Sequence, residues 1–234
     1  MHEKRMHNSY KIFDFDCNSK ETGPVYPQVQ KMSNGYDNKA DNSIKKLFRY
    51  SKSFPDFEPN LDSFLLETKS KQTDILSNAL SAKGIIINRK TKAIFESFKT
   101  CPIQFYEATV IHNNKLFTDY FWMHIVSDYT NFVDYTNSTF FIYQNFLKNL
   151  GDIKILSKKD LIEKDEKLKR DNPNTTLAIW SEKIKMLPSF DSNLQLFMIG
   201  KFDGNLYLGQ SLNNVLMENK ITGYQAENTN KILL

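Results

Sequence analysis

Cysteine and long apolar runs are both scarce in this chain. The two cysteines in 234 residues, Cys17 and Cys101, suit a reducing compartment and define no disulfide framework. Neither has a His or Lys cluster nearby in the sequence that would activate a thiol. No apolar run approaches the roughly 18 residues that a membrane-spanning helix needs, and the first residues lack the apolar core of a secretory signal. We therefore expect a cytoplasmic protein without a membrane segment.

Glycine is also scarce, and its positions indicate no phosphate-binding loop. The eight glycines are scattered along the chain and never form a G-x-G-x-x-G or Walker pattern. The histidines are no better as metal ligands, because His112 and His124 lie on or beside predicted strands with no third ligand at zinc-like spacing. We expect neither a metal site nor a cofactor.

The remaining polar pairs lack the surroundings that catalysis requires. Ser127 and Asp128 closely follow His124, but no glycine flanks the serine as a nucleophile elbow demands. Asp14 and Asp16 share a predicted strand face, yet no neighbouring group would make one of them an acid and the other a base. The sequence therefore predicts no catalytic residues, and it identifies no partner-binding residues.

The charge balance gives weak support for a polyanion as partner. The chain carries 31 basic and 27 acidic residues, a net charge of +4, and the two signs are interspersed along most of it. Basic and aromatic residues interleave from Lys115 to Trp122, but Asp119 interrupts them. A core strand explains this segment better than a base-stacking platform does.

Aromatic and β-branched residues, in contrast, are abundant enough to predict a fold class. The chain has 18 Phe and 11 Tyr and is long enough to bury a large core. Short strand-like runs alternate with short helix-period segments, which predicts an α+β fold: a mostly antiparallel sheet with short helices packed on it. We place a strand and loop-rich segment at residues 1–63 and the main domain at residues 64–234, together forming one globular unit.

The segment from Lys83 to Phe141 carries the clearest local signals. It predicts a buried strand at Ile85–Ile87 and a short helix that begins at the N-cap Asn88. Two strands rich in aromatic residues follow, and Asn113-Asn114 is the predicted turn between them.

Two further helices are predicted. Thr73 resembles an N-cap, the apolar residues from Ile75 to Leu80 have helical spacing, and Gly84 could end that helix. The second helix runs from Ser157 to Arg170, where acids precede bases by four residues, an order that stabilises an exposed helix. These pairs are Asp160 with Lys164, Glu163 with Lys167, Asp165 with Lys169 and Glu166 with Arg170.

A strand-helix-strand pattern recurs near the C-terminus at an offset of 121 residues. The matching positions are Ile85–Ile87 with Leu206–Leu208, Ile94 with Val215, Phe95 with Leu216 and Ile103 with Tyr224. One such unit cannot bury both faces of its helix and strands, so two copies are expected to pack against shared sheet. The sequence thus predicts an internal duplication.

Several segments of the chain resemble a known protein family. They are KSKQTDILS from Lys69, GIIINRKTKAIFESF from Gly84, QFYEATV from Gln104, YFWMH from Tyr120, VDYTNSTF from Val133 and LQLFMIGKFDGNLYLGQSLNNVLMENKITGYQ from Leu194. Over about Phe64 to Gln225 they resemble the immunity proteins of bacterial polymorphic toxin systems, in the family often numbered eleven. Asn88 and Gly209 depart from that family, which often has serine after the strand.

The resemblance implies a non-catalytic protein whose partner is a cognate protein toxin, made by the same or a neighbouring cell. It supplies no catalytic residues, and we interpret Tyr120, Trp122, Asp134 and Ser138 as parts of a sheet and its turn. Two alternatives stay open: an enzyme of unrecognised type with its site between Tyr120 and Asp134, and a weak nucleic-acid-binding protein. The toxin-binding face and the oligomeric state stay open as well.

Overall fold

A computed structural model describes residues 10–80, 84–145 and 147–234. The described residues form fourteen strands, four α-helices and three short 3₁₀ helices. The strands are β1 Tyr10–Phe15, β2 Val29–Met32, β3 Phe64–Leu66, β4 Ile75–Leu76, β5 Gly84–Asn88, β6 Ile103–His112, β7 Lys115–Ile125, β8 Thr139–Gln144, β9 Lys148–Ile153, β10 Leu177–Lys185, β11 Leu196–Gly200, β12 Asp203–Gly209, β13 Tyr224–Asn228 and β14 Ile232–Leu233. The helices are α1 Ser19–Thr22, α2 Arg89–Glu96, α3 Lys158–Asp171 and α4 Gln210–Glu218, and the 3₁₀ helices are Ile44–Arg49, Thr130–Phe132 and Tyr135–Asn137. The predicted α+β, sheet-dominated fold is confirmed.

The strands assemble into three sheets. The first has six strands in the order β2-β3-β6-β7-β5-β4, the second has β11-β12-β1-β13, and the third has β14-β10-β8-β9. Neighbours are antiparallel apart from the parallel pairs β3 with β6 and β10 with β14. Among the described residues, no helix combines the length and apolarity that a bilayer crossing requires.

The predicted internal repeat is present in three dimensions. Strands β4, β5, β7 and β6 lie side by side in the first sheet, as β11, β12, β1 and β13 do in the second. Ile75 faces Ile87 in one sheet and Leu196 faces Leu208 in the other, which is the same register displaced by 121 residues. Helix α2 follows β5 just as α4 follows β12. Each copy is therefore a β-β-α-β unit closed by one additional strand.

The closing strand comes from a different part of the chain in each copy. In the first sheet it is β7, which follows β6 through a hairpin, whereas in the second sheet it is the N-terminal β1, lying between β12 and β13. The registers agree: Trp122 faces Ile86 and Tyr106, and Ile12 faces Tyr207 and Glu227. The N-terminus thus completes a sheet of C-terminal strands, and the division at residue 63 stays a prediction.

The two copies are joined by reciprocal backbone hydrogen bonds. The Ile75 N–H donates to the Thr222 carbonyl at 3.0 Å, and the Cys101 N–H donates to the Leu196 carbonyl at 2.8 Å. Ile75 corresponds to Leu196, and Cys101 to Thr222, at the same 121-residue offset. In each copy, the first strand therefore bonds to the loop that follows the helix of the other copy.

The helix predicted from Thr73 to Leu80 is wrong. Ile75 and Leu76 form β4 and are both fully buried, Ile75 in the larger hydrophobic core and Leu76 in the smaller one. Successive residues of a strand point to opposite faces and can each be buried in a different core. Residues on a single helical stripe all face the same core. Thr73 Oγ1 donates to the Ile75 carbonyl at 2.7 Å instead of capping a helix. Gly84 likewise begins β5, and residues 81–83 lie outside the described residues.

The first sheet is covered on both faces, which explains the uninterrupted run of isoleucines in β5. Ile85 and Ile87 belong to the larger core, which includes residues of the second sheet, α2 and α4, whereas Ile86 belongs to the smaller core with Trp122. A strand buried on both faces needs no polar alternation. The predicted strand is thus confirmed.

The other local predictions of this region are confirmed by their geometry. The Asn88 side chain accepts from the Thr91 N–H at 3.0 Å and caps α2. Asn113 and Asn114 adopt φ values of 49° and 62°, the left-handed conformation that a two-residue hairpin turn requires.

Helix α3 forms where the charge pattern predicts it. Ser157 caps it by accepting from the Asp160 N–H at 3.1 Å. The pairs Asp160–Lys164 and Asp165–Lys169 form at 2.9 and 2.7 Å. The Asp165 carboxylate also binds Lys201, at 2.7 Å. This second bond, which the sequence pattern did not indicate, ties the helix to the turn between β11 and β12.

Candidate functional surface

The polar and aromatic residues between Tyr120 and Asp134 are built into the fold. The Tyr120 hydroxyl donates to the Thr73 carbonyl at 2.7 Å, inside the protein. Trp122 is fully buried and stacks on Phe64, with ring centroids 5.9 Å apart. Both lie in a sheet, as we interpreted them from the sequence.

Asp134 and Ser138 belong to the turn that precedes β8. The Asp134 carboxylate accepts from the Asn137 N–H at 3.2 Å and caps the 3₁₀ helix Tyr135–Asn137. The Ser138 hydroxyl donates to the Asp134 carbonyl at 2.7 Å. These bonds hold the chain as it enters the third sheet.

His124 is buried beneath the segment that follows the 3₁₀ helix Ile44–Arg49. Its Nε2 lies 2.8 Å from the Tyr50 carbonyl, and its Nδ1 has no hydrogen-bond partner. Burial lowers the pKa of His124, and this effect exceeds the opposing effect of the Tyr50 and Ser53 backbone carbonyls. The neutral ring is therefore the form that the fold favours.

This environment predicts a pH dependence of stability. The pKa of His124 is lower in the folded chain than its unfolded value of 6.5, so the unfolded chain binds the proton more readily. The stabilisation is complete above pH 6.5 and is lost as the pH falls through the folded-state pKa. We expect urea unfolding to show a shallower loss of stability between about pH 7 and pH 5 in His124→Gln than in the wild type. His112→Gln, at a half-buried histidine, is the control, and equal slopes for the wild type and His124→Gln would contradict the prediction.

Ser127 and Asp128 do not form a catalytic pair with His124. The Ser127 hydroxyl donates to the Met198 carbonyl at 2.7 Å and accepts from the Met198 N–H at 2.8 Å. The Asp128 carboxylate accepts from the N–H and the hydroxyl of Thr130. Both side chains therefore connect a loop to the second sheet or fix a turn within it.

The remaining sequence candidates lie apart from one another. His112 is at the β6–β7 turn, with its Nε2 3.3 Å from the Thr68 carbonyl, and the carboxylates of Asp14 and Asp16 accept from nearby backbone N–H groups. Burial raises the pKa of the Cys101 thiol to about 12, which makes it unreactive. Within residues 10–80, 84–145 and 147–234, no three His, Cys, Asp or Glu side chains are grouped to hold a metal.

The structure contains a buried polar cluster that the sequence pattern did not reveal. The Asp203 carboxylate is fully buried and accepts from the Ser181 hydroxyl at 3.2 Å and the Tyr207 hydroxyl at 2.7 Å. Lys231 Nζ lies 3.2 Å from the same oxygen. Burial, together with the Asp203 charge, raises the pKa of Tyr207 and keeps its hydroxyl a donor. The cluster ties β10, β12 and the C-terminal segment together.

A basic surface with an exposed aromatic ring lies on the 3₁₀ helix Ile44–Arg49 and the three residues after it. Because such a helix has three residues per turn, Ile44 and Leu47 share one ridge, and both are buried. Lys45 and Phe48 form the next ridge and face outward, with Phe48 49% exposed. Arg49, on the third ridge, and Lys52, three residues beyond the end of the helix, are also exposed. We call the set Lys45, Phe48, Arg49 and Lys52 the basic face; no sequence motif indicated it.

A second exposed apolar surface lies at the edge of the third sheet. Leu147 is 87% exposed and Leu150 44% exposed, at the tip and in the edge strand of the β8–β9 hairpin. The register between β8 and β9 shifts near Gly151, whose φ is +118°. A bulge of this kind bends an edge strand and discourages pairing with another strand.

No protein-family model matches this chain, and no curated protein matches it. The resemblance to immunity proteins stays a prediction. The fold and its surfaces define the class in structural terms. It is an α+β scaffold with an internal repeat. Its candidate reactive side chains make hydrogen bonds to its own loops and strands, and it carries a charged, partly apolar surface.

Proposed function

We propose that this chain is a non-catalytic immunity protein that binds a protein toxin and neutralises it by covering part of its surface. One observation carries the proposal: the side chains of Tyr120, Ser127 and Asp134, and Nε2 of the buried His124, make hydrogen bonds within the fold. Groups held in this way stiffen a scaffold, whereas a catalytic site needs them directed at a substrate.

The architecture supports binding by a preformed surface. The closing strand of each copy, β7 or β1, is paired on both sides. Backbone hydrogen bonds also join the two copies. A rigid surface loses little conformational entropy when it binds, so more of the contact energy appears as affinity. Complexes of this kind usually bury about 1,200 to 2,000 Å² in total.

The test is co-expression with the proteins encoded by the neighbouring genes, which are the candidate toxins. We expect growth to be rescued, and the two purified proteins to elute together with neutralisation complete near one equivalent. Asp134→Asn should rescue growth as the wild type does, because Asp134 caps a 3₁₀ helix and does not act on a substrate.

Two outcomes would contradict the proposal. If the toxin is neither bound nor neutralised, the proposed function is wrong. Neutralisation by far less than one equivalent, abolished by Asp134→Asn in folded protein, would indicate turnover and favour the enzyme alternative.

A further inference from the structure

We infer that the basic face, formed by Lys45, Phe48, Arg49 and Lys52, is the surface that contacts the toxin, and that the toxin presents there an acidic surface with a recess for an aromatic ring. The inference rests on the proposed function and adds to it the location of the interface and the chemistry of the partner.

The cations of the basic face are not neutralised by the protein itself. Among the described residues, no carboxylate lies within salt-bridge distance of Lys45, Arg49 or Lys52. The adjacent Lys46, by contrast, pairs with Asp41 at 3.4 Å. The charge of Lys52 interacts with the Asp128 carboxylate, but from beyond salt-bridge distance. Three exposed cations within eight residues of chain, none of them in a salt bridge, attract an acidic surface and accelerate its association.

Two nearby carboxylates already have partners within the fold. Asp56 accepts from the Tyr50 hydroxyl at 3.1 Å. Asp128 accepts from the backbone N–H and hydroxyl of Thr130. Carboxylates from a partner are therefore the matching ligands for the exposed cations of the basic face.

Phe48 gives the basic face an apolar centre. The neighbouring Leu47 is fully buried in the smaller core, while Phe48 is about half exposed. An exposed aromatic ring beside an arginine is the composition typical of the few residues that dominate protein interfaces. Phe48 and Arg49 are thus the expected anchors, with Lys45 and Lys52 beside them.

The 3₁₀ helix that carries the basic face is held at both ends. At its start, the Ile44 N–H donates to the Tyr36 hydroxyl at 2.7 Å, and that hydroxyl donates to the Asn60 carbonyl at 2.9 Å. At its end, the His124 ring lies 2.8 Å from the Tyr50 carbonyl. The buried histidine therefore positions the surface from beneath, and the surface is formed before a partner arrives.

The surrounding charges favour a protein over a nucleic acid as occupant. The exposed carboxylates of Asp37, Asp41, Asp56 and Glu58 lie in the same part of the chain as the basic face. A phosphate backbone needs a continuous basic track, and these carboxylates would repel it along such a track. An exposed aromatic ring beside an arginine, as in Phe48 and Arg49, is typical of protein interfaces instead.

The experiment measures the Kd of purified wild type and variants for the toxin from the rescue test. We expect the triple variant Lys45→Glu, Arg49→Glu, Lys52→Glu to weaken binding by about 100-fold or more, and Phe48→Ala by about 10-fold or more. The matched control is Lys115→Glu, Lys148→Glu, Lys167→Glu, which changes net charge equally at exposed lysines elsewhere and should retain most of the affinity. Thermal melting shows that each variant is folded.

The outcomes separate this inference from the proposed function. If the toxin binds the wild type but the basic-face variant keeps full affinity, the inference is overturned and the proposed function stands. If the toxin does not bind the wild type at all, the proposed function itself fails. Preferential binding of a labelled single-stranded oligonucleotide, or of phosphatidylcholine–phosphatidylserine vesicles, lost in the same variant, would overturn the choice of a protein as occupant.

Discussion

Replacing Gly223 with alanine is expected to destabilise this protein by about 3 kcal/mol or more. Gly223 adopts a φ of +87°, a conformation that costs an alanine about 1 to 2 kcal/mol. An added Cβ would also overlap the carbonyl oxygen of Ile75 and would lie 2.8 Å from Thr73 Oγ1. The overlap involves backbone, so it cannot be relieved by a side-chain rotation.

The backbone around Gly223 has little freedom to move. The Ile75 N–H donates to the Thr222 carbonyl at 3.0 Å, and the Asp74 carboxylate accepts from the Thr222 N–H at 2.8 Å. The Gly223 N–H itself donates to Glu21 at 2.9 Å. Relief of the clash would break bonds that join the two copies of the repeat, so the energy of overlap adds to the conformational strain.

Gly35→Ala provides a matched control. Gly35 has a φ of +89°, but an added Cβ there would have no atom within 4 Å. Its substitution should cost only the conformational strain, about 1 to 2 kcal/mol. Urea unfolding followed by tryptophan fluorescence measures both variants. Equal losses of stability would show that the junction between the two copies is not closely packed.

The second large effect is expected from Asp203→Ala, at about 3 to 5 kcal/mol. The substitution would leave the Lys231 ammonium, whose side chain is only 12% exposed, without its counter-ion. It would also deprive the hydroxyls of Ser181 and Tyr207 of their acceptor. A buried charge without a partner costs far more than the net gain from the pair.

A second substitution distinguishes the charge effect from loss of packing. In the Asp203→Ala background, Lys231→Met removes the uncompensated charge and should restore part of the stability. Glu163→Ala, which breaks an exposed pair with Lys159 at 3.7 Å, should change stability by only about 0.5 kcal/mol. Failure of Lys231→Met to restore any stability would show that the ion pair is not the cause.

Local sequence patterns predicted several of the individual elements. The Asn88 cap, the Asn113-Asn114 turn and the charged helix α3 depend on residues within four positions of one another, so the sequence alone could identify them. The Thr73 segment was predicted wrongly because its apolar spacing also fits a helix. The burial of Ile75 and Leu76 in two different cores selects the strand, and no local pattern reveals that burial.

The sequence predicted less of the candidate surface than of the fold. The roles of Tyr120, Trp122, Asp134 and Ser138 in a sheet and its turn agree with our interpretation of the sequence. The basic face was missed, because its exposure depends on which ridge of a short 3₁₀ helix packs inward. The Asp203 cluster was missed because Lys231 reaches it through the pairing of β14 with β10.

By itself, the sequence determined the α+β class and the repeat at 121 residues, because periodicity and apolar spacing are recorded along the chain. Only the tertiary structure decided that β1 completes the second sheet, that the first sheet is buried on both faces and that the basic face remains uncompensated. Each of these depends on contacts between residues far apart in sequence, whose free energy no local segment contains.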